Sequence, residues 1–129
     1  MTDKDLVAAA WKAREGHSAL YSNYPVGAAL EAASGKLYTG ANVESSSYGL
    51  SICAERVALF KAVTDGERNF TRIAIAASGS LAPSPCGACR QLLMDYAPNV
   101  EVLLSERPGS FDKLSITDLL PRPFTPKHF

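Results

Sequence analysis

Two short cysteine clusters set the strongest constraint on how this chain can fold. The sequence has three cysteines, and all of them lie in the segments Cys53-Ala54-Glu55 and Pro85-Cys86-Gly87-Ala88-Cys89. The two cysteines of the second segment are three residues apart, so they share one face of a helical turn. A fold that brings the first segment to that face would place three thiols and a carboxylate around one point.

This set of side chains is typical of a catalytic zinc site. Zinc accepts thiolate ligands in tetrahedral geometry, and a catalytic site supplies three protein ligands and leaves the fourth position open. We expect Cys53, Cys86 and Cys89 to bind one Zn²⁺. Glu55 can lie beside them only if its helix begins at Cys53, because residues two apart in mid-helix point in nearly opposite directions.

Helix starts also stabilise the negative charge of the thiolates in such a site. Three thiolates leave a net negative charge around Zn²⁺, which weakens the ion as a Lewis acid. The unpaired N–H groups at two helix starts carry partial positive charge and can donate to sulfur. Arg56 lies one turn after Cys53, and we expect it to act as a further donor to the sulfurs.

Each part of the pattern has an ordinary structural explanation when it is taken alone. A C-x-x-C pair also occurs in redox sites and in half of a structural zinc site. Cys53 fits a small buried residue, and Glu55 fits a solvated acid at a helix start. Taken together and in order, these residues favour catalysis, and a non-catalytic zinc or redox module stays open as the alternative.

Composition limits the class of protein. The 129 residues, 47% of them apolar, suffice for one domain with a real core, which we expect over residues 1–129. Thirteen basic and thirteen acidic side chains cancel, which argues against nucleic acid as a partner. We find no apolar run long enough to span a membrane and no export signal, so we expect no membrane partner and a cytoplasmic location with reduced thiols.

The hydrophobic pattern predicts alternating helices and strands. Helices are predicted for an opening segment to about Leu20, from Cys53 to about Asp65, from the Ser84-Pro85 pair to about Tyr96, and briefly near Leu119. Strands are predicted over residues 26–32, 37–44, 73–77, 100–104 and 113–116. This order predicts a layered α/β sandwich with some parallel strand pairing.

Four segments of the chain carry a common pattern, namely YSNYPVGAA (residues 21–29), GANVE (residues 40–44), CAER (residues 53–56) and PCGACRQ (residues 85–91). In their order and spacing they resemble the short cytidine deaminases, the homotetrameric type with three cysteine ligands. The last two carry the three-cysteine signature of zinc nucleobase deaminases. The resemblance, from about Ala9 to Phe124, implies a three-layer α/β/α sandwich with a five-stranded mixed sheet, a homotetramer, and hydrolysis of cytidine and deoxycytidine to uridine, deoxyuridine and ammonia.

The resemblance also assigns roles to single residues. Glu55 becomes the proton shuttle between the zinc-activated water, ring nitrogen 3 and the leaving amino group. The backbone carbonyl of Ala54 accepts a hydrogen bond from that amino group. Gln91 becomes a residue that orients the site.

Asn42 and Glu44 indicate a sugar site. In a strand over residues 37–44 they are two positions apart and share one face. Neighbouring acceptors suit sugar hydroxyls, and the resemblance assigns both residues to the ribose, mainly to its 3′-hydroxyl. The structural alternative is the polar outer face of a half-exposed edge strand.

Two aromatic positions depart from the family pattern. Tyr24 stands where the family usually has a phenylalanine, and its ring can still stack on a base or cover a sugar. The family places an aromatic ring near the C-terminus to close a neighbouring subunit's pocket. Phe124 or Phe129, in a proline-rich tail, is the candidate for that role here.

The leading functional hypothesis is a nucleoside deaminase of pyrimidine salvage. The closest alternative is a related zinc deaminase that acts on a cytosine nucleoside antibiotic such as blasticidin S. The Asn42–Glu44 pair favours a ribose-like sugar and therefore the nucleoside. A polynucleotide editor is disfavoured because the chain has no basic groove signature.

Overall fold

The structure, a computed structural model, describes residues 1–79 and 81–129 and contains one mixed sheet in the order β2-β1-β3-β4-β5. Its strands are β1 (Gly27–Ala32), β2 (Leu37–Ala41), β3 (Phe70–Ala76), β4 (Glu101–Arg107) and β5 (Ser110–Ser115). The pair β3–β4 is parallel, whereas the pairs β1–β2, β1–β3 and β4–β5 are antiparallel. The predicted five-stranded mixed sheet is confirmed.

Helices cover both faces of this sheet. Helix α1 (Asp3–Ala13) packs on one face, and α2 (Ala54–Thr64) and α3 (Gly87–Tyr96) pack on the other, with the short α4 (Ile116–Leu119) next to α3. The predicted three-layer α/β/α sandwich is therefore confirmed. Within residues 1–79 and 81–129, no helix combines the length and the apolar character that crossing a bilayer requires.

Alternate residues of the central strands enter two separate cores. In β3, Ile73 and Ile75 contribute to the core under α2 and α3, while Ala74 and Ala76 contribute to the core under α1. Both faces of the strand are apolar, as predicted for a central strand covered on both sides. The small side chains on the α1 side let that helix lie close to the sheet.

The first helix is shorter than predicted. It ends at Ala13 and is followed by a 3₁₀ turn over Arg14–Gly16, instead of continuing to Leu20. The next residues pair with another part of the chain, because the Ser18 amide donates to the Asn42 carbonyl at 2.8 Å. A tertiary contact therefore ends the helix, although the local pattern would continue it.

Two further boundaries were predicted wrongly. Strand β2 ends at Ala41, so Asn42 and Glu44 follow the strand and do not belong to it. Helix α3 has Cys86 as its N-cap residue and not Ser84. The Ser84 hydroxyl accepts a hydrogen bond from Arg90 at 2.6 Å, so it is engaged by a side chain.

A half-buried ion network around Arg72 ties α1 to the interior strands β1 and β3. Its Nε and Nη2 donate to Glu31 at 2.8 and 2.6 Å, and its Nη1 donates to Asp3 at 2.9 Å. These hydrogen bonds lower the pKa of Glu31 and that of Asp3. Carboxyl groups with lowered pKa values stabilise the fold above their ordinary pKa of about 4, and this stabilisation is lost as the pH falls.

Replacing Arg72 should therefore make the protein more sensitive to acid. We expect Arg72→Met to move the midpoint of acid unfolding to higher pH and to lower the free energy of unfolding at neutral pH by about 1–3 kcal/mol. Circular dichroism during an acid titration measures the midpoint. Arg122→Met, in the exposed tail, is the control, and equal midpoints in the two variants would contradict this role.

Candidate metal centre and active site

Two helix starts meet at one point beside the sheet. Cys53 is the N-cap residue of α2, and Cys86 is the N-cap residue of α3, with Cys89 three residues later. The three Sγ atoms all lie within 4.8 Å of one another. Cys86 Sγ is 3.7 Å from Cys53 Sγ and 3.5 Å from Cys89 Sγ.

This spacing fits a tetrahedral zinc ion. With Zn–S bonds of about 2.3 Å, two sulfurs of a tetrahedron lie about 3.8 Å apart. The Cys53–Cys86 and Cys86–Cys89 separations are close to that value. The helix starts also place partial positive charge next to the sulfurs of their N-cap residues, Cys53 and Cys86, which favours thiolates there. The three cysteines therefore supply the number, type and spacing of donors that one Zn²⁺ needs.

Arg56 lies against this cluster. Its Nη2 donates to Cys53 Sγ at 3.5 Å, and its Nε is buried without a hydrogen-bond partner among the described residues. Hydrogen bonds from Cys89 and then from Arg56 lower the pKa of Cys53 to about 5. Since zinc binds the thiolate form of cysteine, the lowered pKa of Cys53 favours the form that would bind the metal.

Glu55 lies on the first turn of α2 and is 5% exposed. The sequence predicts that Glu55 and Cys53 can lie side by side only if the helix begins at Cys53. The helix does begin directly after that cysteine. Burial raises the pKa of Glu55 to about 7. A carboxyl group with such a pKa can both accept and donate a proton near neutral pH.

Gly40 in β2 determines how closely α2 approaches the sheet. A Cβ atom at this position would lie 2.6 Å from the Ala54 carbonyl oxygen and 2.7 Å from the Ala58 nitrogen. The first turn of the helix that carries Glu55 therefore packs directly on the strand backbone. A glycine inside a strand is the sequence signal for such a close approach.

A methyl group added at Gly40 should disturb the metal centre indirectly, through the start of α2. We expect Gly40→Ala to lower the free energy of unfolding by about 1–3 kcal/mol, because the start of α2 has to move, and to lower the zinc content of the purified protein. Thermal unfolding and elemental analysis measure both effects. Gly16→Ala is the matched control, since no atom from elsewhere in residues 1–79 and 81–129 lies within 4 Å of its added Cβ. Equal zinc content in both variants would contradict the prediction.

A cleft of about 200 Å³ opens beside the cysteines. It is lined by Cys53, Cys86 and Glu55 together with four of the predicted substrate residues, namely Tyr24, Asn42, Glu44 and Ala54. The predicted sugar-binding residues Asn42 and Glu44 therefore line the same cleft as Cys53 and Cys86 of the predicted metal centre.

Asn42 and Glu44 hold the loop before β1 against this cleft. Asn42 accepts from the Val26 amide at 2.9 Å and donates to the Tyr24 carbonyl at 3.0 Å. Glu44 accepts from the Ser22 hydroxyl and from the amides of residues 21 and 22, and these hydrogen bonds lower its pKa. Both residues follow the end of β2 and do not share a strand face. Their side chains are nevertheless in contact, because Asn42 Nδ2 donates to Glu44 Oε2 at 3.4 Å.

Ser22 is a cleft residue that the sequence patterns did not single out. Its hydroxyl donates to Glu44 and accepts from the Tyr24 amide at 3.0 Å. The following residue, Asn23, has a φ of 55°, in the left-handed region that asparagine tolerates. A Ser-Asn pair before Tyr24-Pro25 is the one local signal for this turn.

Gln91 and Phe124 lie outside the cleft of their own chain. Gln91 Nε2 donates to the Asp95 carboxylate at 3.0 Å and to the Phe124 carbonyl at 2.8 Å. The Phe124 ring stacks on the rings of His128 and Phe129, with centroids 5.1 and 5.8 Å away. The role of Phe124 in a neighbouring subunit's pocket stays a prediction.

Comparison with known proteins agrees with this site. Residues 1–104 match the family model of the cytidine and deoxycytidylate deaminase zinc-binding region. A cytidine deaminase from Sporosarcina psychrophila is 42% identical over 126 residues, which are 97% of this chain and 93% of that protein. The crystal structure of cytidine deaminase from Burkholderia pseudomallei matches with a TM-score of 0.92 and 46% identity, over 96% of this chain and all of that one.

A blasticidin-S deaminase from Bacillus cereus is more distant. It is 33% identical over 81% of this chain and 79% of its own length. The family match covers both cysteine clusters, and the relatives with the higher identities span almost the whole chain. The chain therefore belongs to the cytidine and deoxycytidylate deaminase family.

Proposed function

We propose that this protein is a zinc-dependent hydrolase that converts cytidine and deoxycytidine to uridine and deoxyuridine, with release of ammonia. The observation that carries the proposal is the position of Glu55. It is buried, its pKa is raised to about 7, and it shares a cleft with two of the three clustered thiols and with Asn42 and Glu44. A purely structural zinc site needs neither a proton carrier nor a cleft.

Cys53, Cys86 and Cys89 would hold the zinc ion. When bound, it acts as a Lewis acid and supplies a water whose pKa is lowered toward neutrality. Glu55 moves the protons of the reaction. Its carboxylate accepts one from the water and delivers it to ring nitrogen 3, which makes carbon 4 more electrophilic, and it then helps to protonate the departing amino group. Water thus supplies the new carbonyl oxygen, and the amino group leaves as ammonia.

The remaining cleft residues orient the nucleoside. The backbone carbonyl of Ala54, next to Glu55, is the proposed acceptor for the amino group of the base. The Tyr24 ring, which lines the cleft, stacks on the base or covers the sugar. Asn42 and Glu44 bind ribose hydroxyls, mainly the 3′-hydroxyl, and the lowered pKa keeps Glu44 ionised as an acceptor. Arg56 offsets part of the thiolate charge and so sustains the acidity of the metal.

A spectrophotometric assay of the purified protein tests this function directly. Cytidine, deoxycytidine, blasticidin S and a cytosine-containing oligonucleotide are compared as substrates, before and after removal of metal and readdition of zinc. We expect zinc-dependent deamination of the two nucleosides. Turnover of blasticidin S without turnover of cytidine would favour the antibiotic deaminase, and no turnover of any substrate would favour a structural zinc module.

We also infer that four copies of the chain associate. Large apolar side chains stand exposed beside the cleft, including Leu20, Tyr21, Tyr48 and Leu50, with exposed fractions of 76%, 51%, 76% and 69%. Tyr21 and Tyr48 line a second cavity that shares Ser22 and Glu44 with the cleft. Clustered exposed apolar groups are typical of protein interfaces.

The C-terminal segment fits the same assembly. The Phe124 ring is more than half exposed, and Gln91 holds its backbone on α3. In the assembly this ring would close the cleft of a neighbouring copy. Gln91 would then orient the site of a neighbouring copy indirectly, by holding the C-terminal segment that carries Phe124. Sedimentation velocity should give the mass of a tetramer, and a fully active monomer at high dilution would contradict the assembly.

With thiol ligands that must stay reduced, we place the enzyme in the cytoplasm and its reaction in pyrimidine salvage.

A further inference from the structure

Arg90 makes three well-directed hydrogen bonds that the proposed reaction does not use. It lies on the first turn of α3, directly after Cys89, and is half-buried. Its Nε donates to the Pro85 carbonyl at 2.8 Å, and its Nη2 donates to the Ser84 hydroxyl at 2.6 Å. Its Nη1 donates to the Leu119 carbonyl at 2.8 Å.

The first two bonds hold the segment that leads into the metal centre. The Pro85 carbonyl belongs to the peptide bond that joins Pro85 to Cys86. Ser84 and Cys86 both line the cleft. Because Pro83 and Pro85 have no backbone N–H group, this segment has few donors of its own with which to fix its position.

The third bond anchors Arg90 to the rest of the fold. Leu119 is the last residue of α4, and the carbonyl groups of a last helical turn have no partner within their helix. The guanidinium group therefore connects the end of α4 to the segment before Cys86. A planar fork can donate in these three directions at once, whereas a lysine ammonium on its flexible stem does not reproduce that geometry.

We propose that Arg90 is a positioning residue that fixes Cys86 and the Ser84 wall of the cleft by holding the Ser84-Pro85 segment against α4. This inference depends on the zinc site of the proposed function. It assigns to Arg90 no contact with substrate or with the sulfur atoms. Its effect reaches the site through the backbone of residues 84–86.

The rate of zinc release to a chromogenic chelator tests this role without any assay of activity. Replacing groups that orient metal ligands costs about 10-fold to 100-fold in metal affinity. We expect Arg90→Met to release zinc about 10-fold faster than the wild type or more, and Arg90→Lys to restore little of the difference. In cobalt-substituted protein, the thiolate-to-metal absorption band should shift in both variants.

Arg68 offers a matched control. It also donates to backbone carbonyls at a helix end, those of Val63 and Glu67 at 2.9 and 2.7 Å, but it lies at the far end of α2. We expect Arg68→Met to lower the melting temperature and to release zinc at the wild-type rate. If Arg90→Met does not fold, Ser84→Ala removes only one of the three bonds and should give a smaller increase in the release rate.

The outcomes separate this inference from the proposed function. Faster release and a shifted band in the Arg90 variants, with neither change in Arg68→Met, would support the positioning role. A wild type that binds zinc, with Arg90 variants that lose stability but release zinc at the wild-type rate, would overturn this inference alone. A wild type that takes up no zinc would overturn the proposed function as well.

Discussion

Glu55→Gln should remove nearly all turnover of cytidine while zinc and the fold stay in place. An amide has the shape of the carboxyl group and can donate a hydrogen bond, but it cannot take up a proton and pass it on. General acid–base catalysis by one side chain contributes about 10²–10⁴-fold, and we expect a loss at the upper end of this range, because Glu55 serves several proton transfers. Initial rates together with elemental analysis measure the two quantities.

The cost of this substitution to the fold should be small. Burial already raises the pKa of Glu55 to about 7, so its neutral form, which the amide resembles, is well accommodated. Glu15→Gln changes an exposed acid in the same way and serves as the control. A Glu55→Gln enzyme with near-normal rates would exclude Glu55 as the proton carrier.

Cys89→Ser should abolish zinc binding and, with it, activity. Cys89 is 1% exposed, and its Sγ lies 3.5 Å from that of Cys86. Serine nearly preserves the volume of the side chain but replaces a thiolate with a poor zinc ligand, which leaves two thiolates where a catalytic site needs three ligands. We expect less than one tenth of the zinc content of the wild type and no measurable turnover, both determined on freshly purified, reduced protein.

Ala88→Ser is the matched control for this loss. It introduces the same hydroxyl group one position earlier in α3, at an exposed residue. This variant should keep its zinc and its rate. One zinc ion per chain in Cys89→Ser would mean that Cys89 is not a ligand, and the three-thiol site would then be wrong.

The sheet and the pairing of Cys86 with Cys89 were predictable because their signals are local. Residues 73–77 are apolar at every position, which is typical of a strand covered on both sides, and β3 is such a strand. The spacing of Cys86 and Cys89 directly implies a shared helical face. The convergence of Cys53 and Glu55 followed from one condition, a helix that begins at Cys53, and this condition is met.

Features that depend on distant parts of the chain were not predictable. The pair Ser84-Pro85 is a strong local signal for a helix start, yet Arg90 engages the Ser84 hydroxyl and the helix begins after Cys86. The strand predicted over residues 37–44 ends early, because Val43 instead bridges to Ser18 and to Ile52. Arg90 itself has the appearance of an ordinary polar residue in the sequence, since the acceptor that anchors it to the rest of the fold, the Leu119 carbonyl, is 29 residues away.

The separation of the cysteines along the chain has a consequence for biosynthesis. Cys53 and Cys86 are 33 residues apart, and α2 and β3 lie between them. A nascent chain that has just emerged from the ribosome with its first half therefore offers one sulfur donor, which cannot retain the ion. Metal insertion must wait until residue 89 has been translated, because only then does the chain hold all three sulfur donors that the site needs.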